Sequence, residues 1–251
     1  MKNKAIRVLK FLFPIVFWLG VWEVTSLIID SSFLMPDVSE TFSAMIDIIT
    51  DENFLLTVLM TLSRVLLGLA IGIGAGIILA VLSHHVPMAN TLISPILSVI
   101  KSTPVASFII VLWALLSGYI LPVFIAFLMV MPIVWQNMLD GYSYIDKDLS
   151  EVCDVFEFSY RKRAKYLIIP TLRRYLVPAV ITSVGLAWKA EIAAEIIDFT
   201  DKSIGYYINY AKKDFDSSRV FAWTVIIILF SFVLEKITKN LLARYKNEPQ
   251  N

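Results

Sequence analysis

Six apolar runs, over residues 11–29, 57–83, 90–117, 121–139, 175–197 and 220–240, dominate this chain. Each is long enough to cross the roughly 30 Å hydrocarbon core of a bilayer as a helix. A segment in lipid must satisfy its own backbone hydrogen bonds, which a helix does and an isolated strand does not. With 58% of its 251 residues hydrophobic, the chain carries more apolar surface than one small globule can bury. The expectation is an all-α integral membrane protein, one transmembrane domain over residues 1–251 with six transmembrane helices.

Charge placement orients the spans. Lys2, Lys4, Arg7 and Lys10 precede the first run and put the N-terminus inside. No small-x-small cleavage site follows that run, so it reads as a retained span rather than a signal peptide. Glu23 within it is expected to snorkel or to pair. Residues 30–53 hold six acids and no Lys or Arg, which marks an external segment. Met45, Ile48 and Ile49 there suggest a helix lying along the outer surface. Six Lys or Arg residues between Arg161 and Arg174, and a basic tail after Glu235, belong to the cytoplasmic side. Both termini are thus expected inside.

Within the spans, Gly68, Gly72 and Gly76 recur four residues apart, so they share a helix face and permit close backbone approach. Arg64 precedes them and is expected toward the outer side, snorkelling. Pro104 removes an amide from the third run and should kink or interrupt it, with Lys101 beside the break. Trp135, Gln136 and Asn137 read as an inner interface closing the fourth span. The fifth span is the least ordinary, with Trp188, Lys189, Glu191 and Glu195 inside it. The two glutamates are one turn apart on one face, and Lys189 lies well round the helix. Lys101, Pro104, Trp188, Lys189, Glu191 and Glu195 are therefore the candidate pathway residues. The alternative is a set of structural pairs, for example with Lys101 or Arg64.

The longest polar stretch is Asp146–Pro170. Leu149, Val152, Cys153 and Phe156 recur there at helical spacing, with acids early and bases late, in the order that suits a helix dipole. Ser159 is a candidate cap for a second short helix from Tyr160. The reading is a helix-turn-helix at the membrane surface. The single cysteine, Cys153, excludes an intramolecular disulfide and a cysteine metal cluster. His84-His85 is expected in a solvated inner loop, and no zinc-enzyme pattern or catalytic constellation occurs. A net charge of +1 gives no field for nucleic acid.

Glu151, then Ile169-Pro170 at the proper interval, resemble the EAA loop of ABC-importer permeases. Val152, Cys153 and Glu157 stand where that pattern has two alanines and a glycine. The glycine would take a left-handed turn that Glu157 adopts only at a cost, so a blunter or fully helical turn is expected. Leu34-Met35-Pro36, Thr61-Leu62-Ser63-Arg64, Lys101 to Gly118, Gly185 to Glu195 and Ser203 to Ile208 also resemble segments of the nitrate, sulfonate, taurine and thiamine-precursor permeases. Glu195 matches the family's glutamate.

That resemblance implies the type I ABC importer permease fold in a bacterial cytoplasmic membrane. It implies two permease copies forming the pore, two ABC ATPase subunits below and an external substrate-binding protein above. Loop 146–170 becomes the coupling helix, with Glu151, Phe156, Glu157, Phe158, Ser159, Tyr160 and Arg161 meeting the ATPase. ATP and Mg then belong to that partner, with no cofactor in this chain and no catalytic residue. The charges of both signs in the fifth span suit a planar donor–acceptor solute such as a pyrimidine. Two rival classes remain: an ion-coupled secondary transporter relaying protons through the intramembrane Lys and Glu residues, and a membrane-embedded enzyme.

Overall fold

The structure, a computed structural model, describes residues 2–246, and the side chains of residue 10 and residues 12–243. The expected basic N-terminal cluster thus lies largely outside the described side chains, as does the end of the basic tail. Every regular element among the described residues is helical.

Helix α1 (Lys2–Ile29) carries the first apolar run, and its segment Leu12–Ile29 faces outward almost throughout. Helix α2 (Val38–Thr50) starts in a capping box: Asp37 accepts the Glu40 amide at 2.6 Å, and Glu40 accepts the Asp37 amide at 3.2 Å. Glu23 accepts the Val38 amide at 3.1 Å, so this acid sits at the positive end of α2. Thr41, Ala44 and Ile48 form the buried stripe of α2.

Helix α3 (Phe54–His85) is followed by α4 (Pro87–Ser102) and α5 (Val105–Trp113). The third apolar run is therefore two helices, bent by 102°. Pro104 explains the break, because it lacks an amide and drives the preceding Thr103 to extended backbone (φ −81°, ψ 133°). Among the described residues five helices are long and apolar enough to cross a membrane, and α4–α5 make six if the bent pair counts as one span.

Helix α6 (Ile120–Ser143) is the axis of the core, packed on α3 along one side and on α9 (Ile169–Asp198) along the other. A Cβ added at Gly68, Gly72 or Gly76 would come within 2.6 Å of Ala126, 2.7 Å of Val130 or 2.7 Å of Val134. Real Cβ atoms do not approach that closely, so the α3–α6 spacing requires glycine there.

Two expectations at the inner end need correction. Trp135 does not form an interface belt. It is buried in the α3–α6 seam, where its Nε1–H donates to Ser83 Oγ at 3.0 Å. His84 and His85 close α3 rather than standing in a loop, and His84 stacks on Tyr142 at 3.9 Å.

Between α6 and α9 come α7 (Lys147–Val155), α8 (Tyr160–Arg163) and a π-helical turn, Ala164–Ile168. Pro170 has no N–H for the Tyr166 carbonyl. The chain there widens to i→i+5 pairing, the Ile169 amide reaching Ala164. Helices α10 (Ile204–Lys213) and α11 (Ser217–Lys246) complete the fold.

Candidate functional site

The polar stretch 146–170 folds as a hairpin. Asp146 caps α7 by accepting the Asp148 and Leu149 amides at 2.9 and 3.2 Å. At the other end Glu157 has φ +48°, left-handed. The Phe158 amide reaches the Cys153 carbonyl at 2.8 Å, and the Glu157 amide reaches that of Asp154 at 3.1 Å. Together these bonds are a complete Schellman motif. The turn is therefore as sharp as glycine would make it, contrary to the expected blunter turn, because two backbone bonds hold Glu157 in a conformation it disfavours by about 1–2 kcal/mol.

Arg163 ties the hairpin together, donating to Asp154 at 2.7 Å and to Ser150. Helix α8 does begin at Tyr160, but the Ser159 hydroxyl makes no cap bond; its carbonyl accepts the Arg163 amide at 3.0 Å instead. Cys153 faces inward and is buried. The outward surface is the reverse of a usual solvated helix: Val155 is 80%, Phe156 70% and Tyr160 70% exposed. Glu151, Glu157, Phe158, Ser159 and Arg161 are exposed on the same hairpin. Tyr144 stacks on Tyr175 at 5.7 Å, fixing the hairpin's root against α9.

A second cluster lies deep between α3, α9 and α10. Arg64, expected to snorkel outward, is instead buried and donates to Glu195 Oε1 at 2.7 Å. Its other Nη donates to the Asp201 carbonyl at 3.2 Å, and the Tyr119 ring lies 5.1 Å away. Glu195 also accepts Thr61 Oγ1–H at 2.9 Å and the Gly205 amide at 3.1 Å. The Ile204 amide in turn donates to Thr61 Oγ1 at 3.1 Å. One carboxylate thus closes the N-terminus of α10 onto α3 and α9, where helix dipole and guanidinium both favour negative charge. Gly205 permits this, because a Cβ there would stand 2.4 Å from Glu195 Cβ.

The six candidate pathway residues do not form one constellation. Glu191 and Glu195 are fully buried one turn apart on α9, with their carboxyl groups within hydrogen-bonding reach of each other. Trp188 is buried against Phe230 and donates to the Ile227 carbonyl at 3.2 Å. Lys101 and Pro104 are exposed at the α4–α5 break. Lys189 is exposed on the α11 side of α9. Of the two partners considered for the glutamates, Arg64 makes the ion pair. Gly205 and Arg163 were absent from the candidate set; nothing local in their sequence announces contacts made ten and nine residues away. Among the described residues no three His, Cys, Asp or Glu side chains converge as metal ligands.

Residues 72–247 match the family model described as the binding-protein-dependent transport system inner membrane component. The chain is an ABC-importer permease. A formylaminopyrimidine transport permease, ThiX of Halalkalibacterium halodurans, is 24% identical over 91% of this permease and 92% of its own length. The nitrate import permease NrtB of Synechococcus elongatus is 24% identical over 76% and 72%. The crystal structure of an amino acid ABC transporter with histidines superposes at TM-score 0.63 and 18% identity, covering 77% of the permease and 92% of that chain. The permease shares that fold. It is a multi-pass membrane transport component, as the apolar helices require.

Proposed function

We propose that this permease is half of a pore. Two copies enclose the path, loop 146–170 of each docks on a separate ATPase subunit that binds ATP and Mg, and an external binding protein delivers a small polar solute. The bacterial cytoplasmic membrane is its site, with both termini inside. The observation that carries this reading is the hairpin of residues 146–170. Apolar side chains left exposed on a charged, internally braced element fit a protein socket. The flanking run of Lys and Arg from Arg161 to Arg174 supports the inward placement. Closure of the ATPases would move the hairpin, and the unbroken helix beyond it would carry that motion to the mouth of the path.

The test is affinity capture of the tagged permease from native membranes, beside a Phe156→Ala/Phe158→Ala variant. An ATPase recovered with the wild type and lost from the variant supports the coupling role. A permease that moves solute without any ATPase would remove it.

A further inference from the structure

Where α2 and α10 stop and α3 and α11 start, the chain encloses a pocket of about 100 Å³. Its wall is aromatic. Trp223, buried at 5% exposure, stacks on Phe54 at 6.1 Å and on Tyr207 at 6.0 Å, and Tyr210 lines the pocket half-exposed. Thr57 belongs to the same lining and is only 2% exposed. Thr61, one turn on, binds Glu195, whereas the Thr57 hydroxyl takes no hydrogen-bond partner among the described residues and is left to whatever fills the pocket.

Four carboxylates and one guanidinium share this lining, and two of the acids are already engaged. Asp216 pairs with Arg219 Nε at 3.4 Å and accepts the Arg219 amide at 3.0 Å. Asp51 accepts the Asn53 amide at 2.7 Å, ahead of α3. Asp47 and Asp214 are exposed and make no ion pair among the described residues. The carbonyl ends of α2 at Thr50 and of α10 at Lys213 add partial negative charge. Lys213 does not cancel it, since its ammonium turns to the Phe199 ring at 4.1 Å.

Unpaired surface acids alone would say little, but these stand beside an aromatic wall. Ring faces attract an organic cation and cover its apolar substituents, while carboxylates supply the countercharge. A metal ion does not fit, because among the described residues no three His, Cys, Asp or Glu side chains converge. We propose that this pocket binds a small organic cation, an ammonium or guanidinium head group set against Tyr207, Trp223 and Phe54, with Asp47 and Asp214 as its countercharges. The pocket includes none of Lys189, Glu191 and Glu195, and the proposal holds whichever solute is carried.

The test is saturation-transfer NMR on the full permease in a maltoside detergent, which carries no ammonium of its own. The probes are choline and its neutral isostere, in which carbon replaces the ammonium nitrogen. Choline should bind about tenfold tighter than the isostere. Asp47→Asn/Asp214→Asn should raise the dissociation constant of choline about tenfold and leave that of the isostere unchanged. Tyr210→Ala should raise it about threefold. The two carboxylates are exposed and unpaired, so the double variant should melt as the wild type does; the comparison of choline with its isostere needs no variant at all. Equal binding of the two probes, or choline binding untouched by the double variant, would overturn the proposal. So would displacement of choline by sodium chloride as effectively as by tetramethylammonium chloride at equal ionic strength, the mark of a diffuse acidic surface. A captured ATPase beside a pocket that ignores choline would sink this proposal and leave the importer reading standing.

Discussion

The Arg64–Glu195 pair invites a double-mutant cycle, because its burial makes the expected outcome unlike that of a surface ion pair. The two side chains are 3% and 0% exposed, with nitrogen and oxygen 2.7 Å apart. With charge centres near 4 Å and an effective dielectric of about 20, their attraction is about 4 kcal/mol. Arg64→Met leaves Glu195 with Thr61 and Gly205 as donors but no countercharge; Glu195→Gln leaves Arg64 with the Asp201 carbonyl and the Tyr119 ring. Each single change should cost about 3–5 kcal/mol, the usual penalty for stranding one buried charge. The double variant strands neither member of the pair, and its amide oxygen still accepts from Gly205. It should therefore cost no more than either single change, a coupling of about 3 kcal/mol. The assay is denaturant unfolding in mild detergent, followed by tryptophan fluorescence. If the two single effects add to within about 0.5 kcal/mol in the double variant, the sites are independent and the reasoning fails.

Three further outcomes follow from close contacts and backbone geometry. Gly72→Ala should destabilise by about 1–3 kcal/mol, since the new Cβ would meet Val130 at 2.7 Å; Gly74→Ala, with nothing within 4 Å, should be neutral or stabilising by up to about 1 kcal/mol. Paired thermal melts decide this, and equal losses at the two sites would refute it. Glu157→Gly should relieve about 1 kcal/mol of left-handed strain and slow proteolysis of loop 146–170 in inside-out vesicles; unchanged or faster cleavage would count against the strained turn. Gly205→Ala puts a Cβ 2.5 Å from the Ile196 backbone nitrogen, so monodisperse protein should be lost on detergent extraction. Wild-type yield and melting would contradict the fit.

Local sequence rules carried five long apolar helices, the glycine face and the break at Pro104, because apolar run length, four-residue spacing and a missing amide act within a few residues. The bend of 102° was not legible, since a proline sets where a helix stops but not how the next one departs. Arg64 was read as snorkelling when it is buried, for a related reason. Its partner lies 131 residues away, and an arginine near a span's outer end reads as snorkelling until the facing helix is known. Glu157 shows propensity overridden: the expected cost is real, but the Schellman bonds require the left-handed residue all the same. Of the candidate site, the hairpin was readable as one unit. The pathway residues were not, because one helix turns Lys189 toward α11 and Glu191 and Glu195 into the core.

The π-helical turn at Ala164–Ile168 has a consequence for phase. From Tyr160 to Asp198 the chain is helical for 39 residues without interruption, and in an α-helix each residue adds about 100° of rotation. A π turn inserts one extra residue into that count. The hairpin's apolar face and the buried carboxylate of Glu195 are therefore clocked against each other by this single widened turn. Adding or deleting one residue between them would swing Glu195 out of reach of Arg64 or aim Phe156 and Tyr160 elsewhere. Substitutions along this stretch should be tolerated far better than changes in its length.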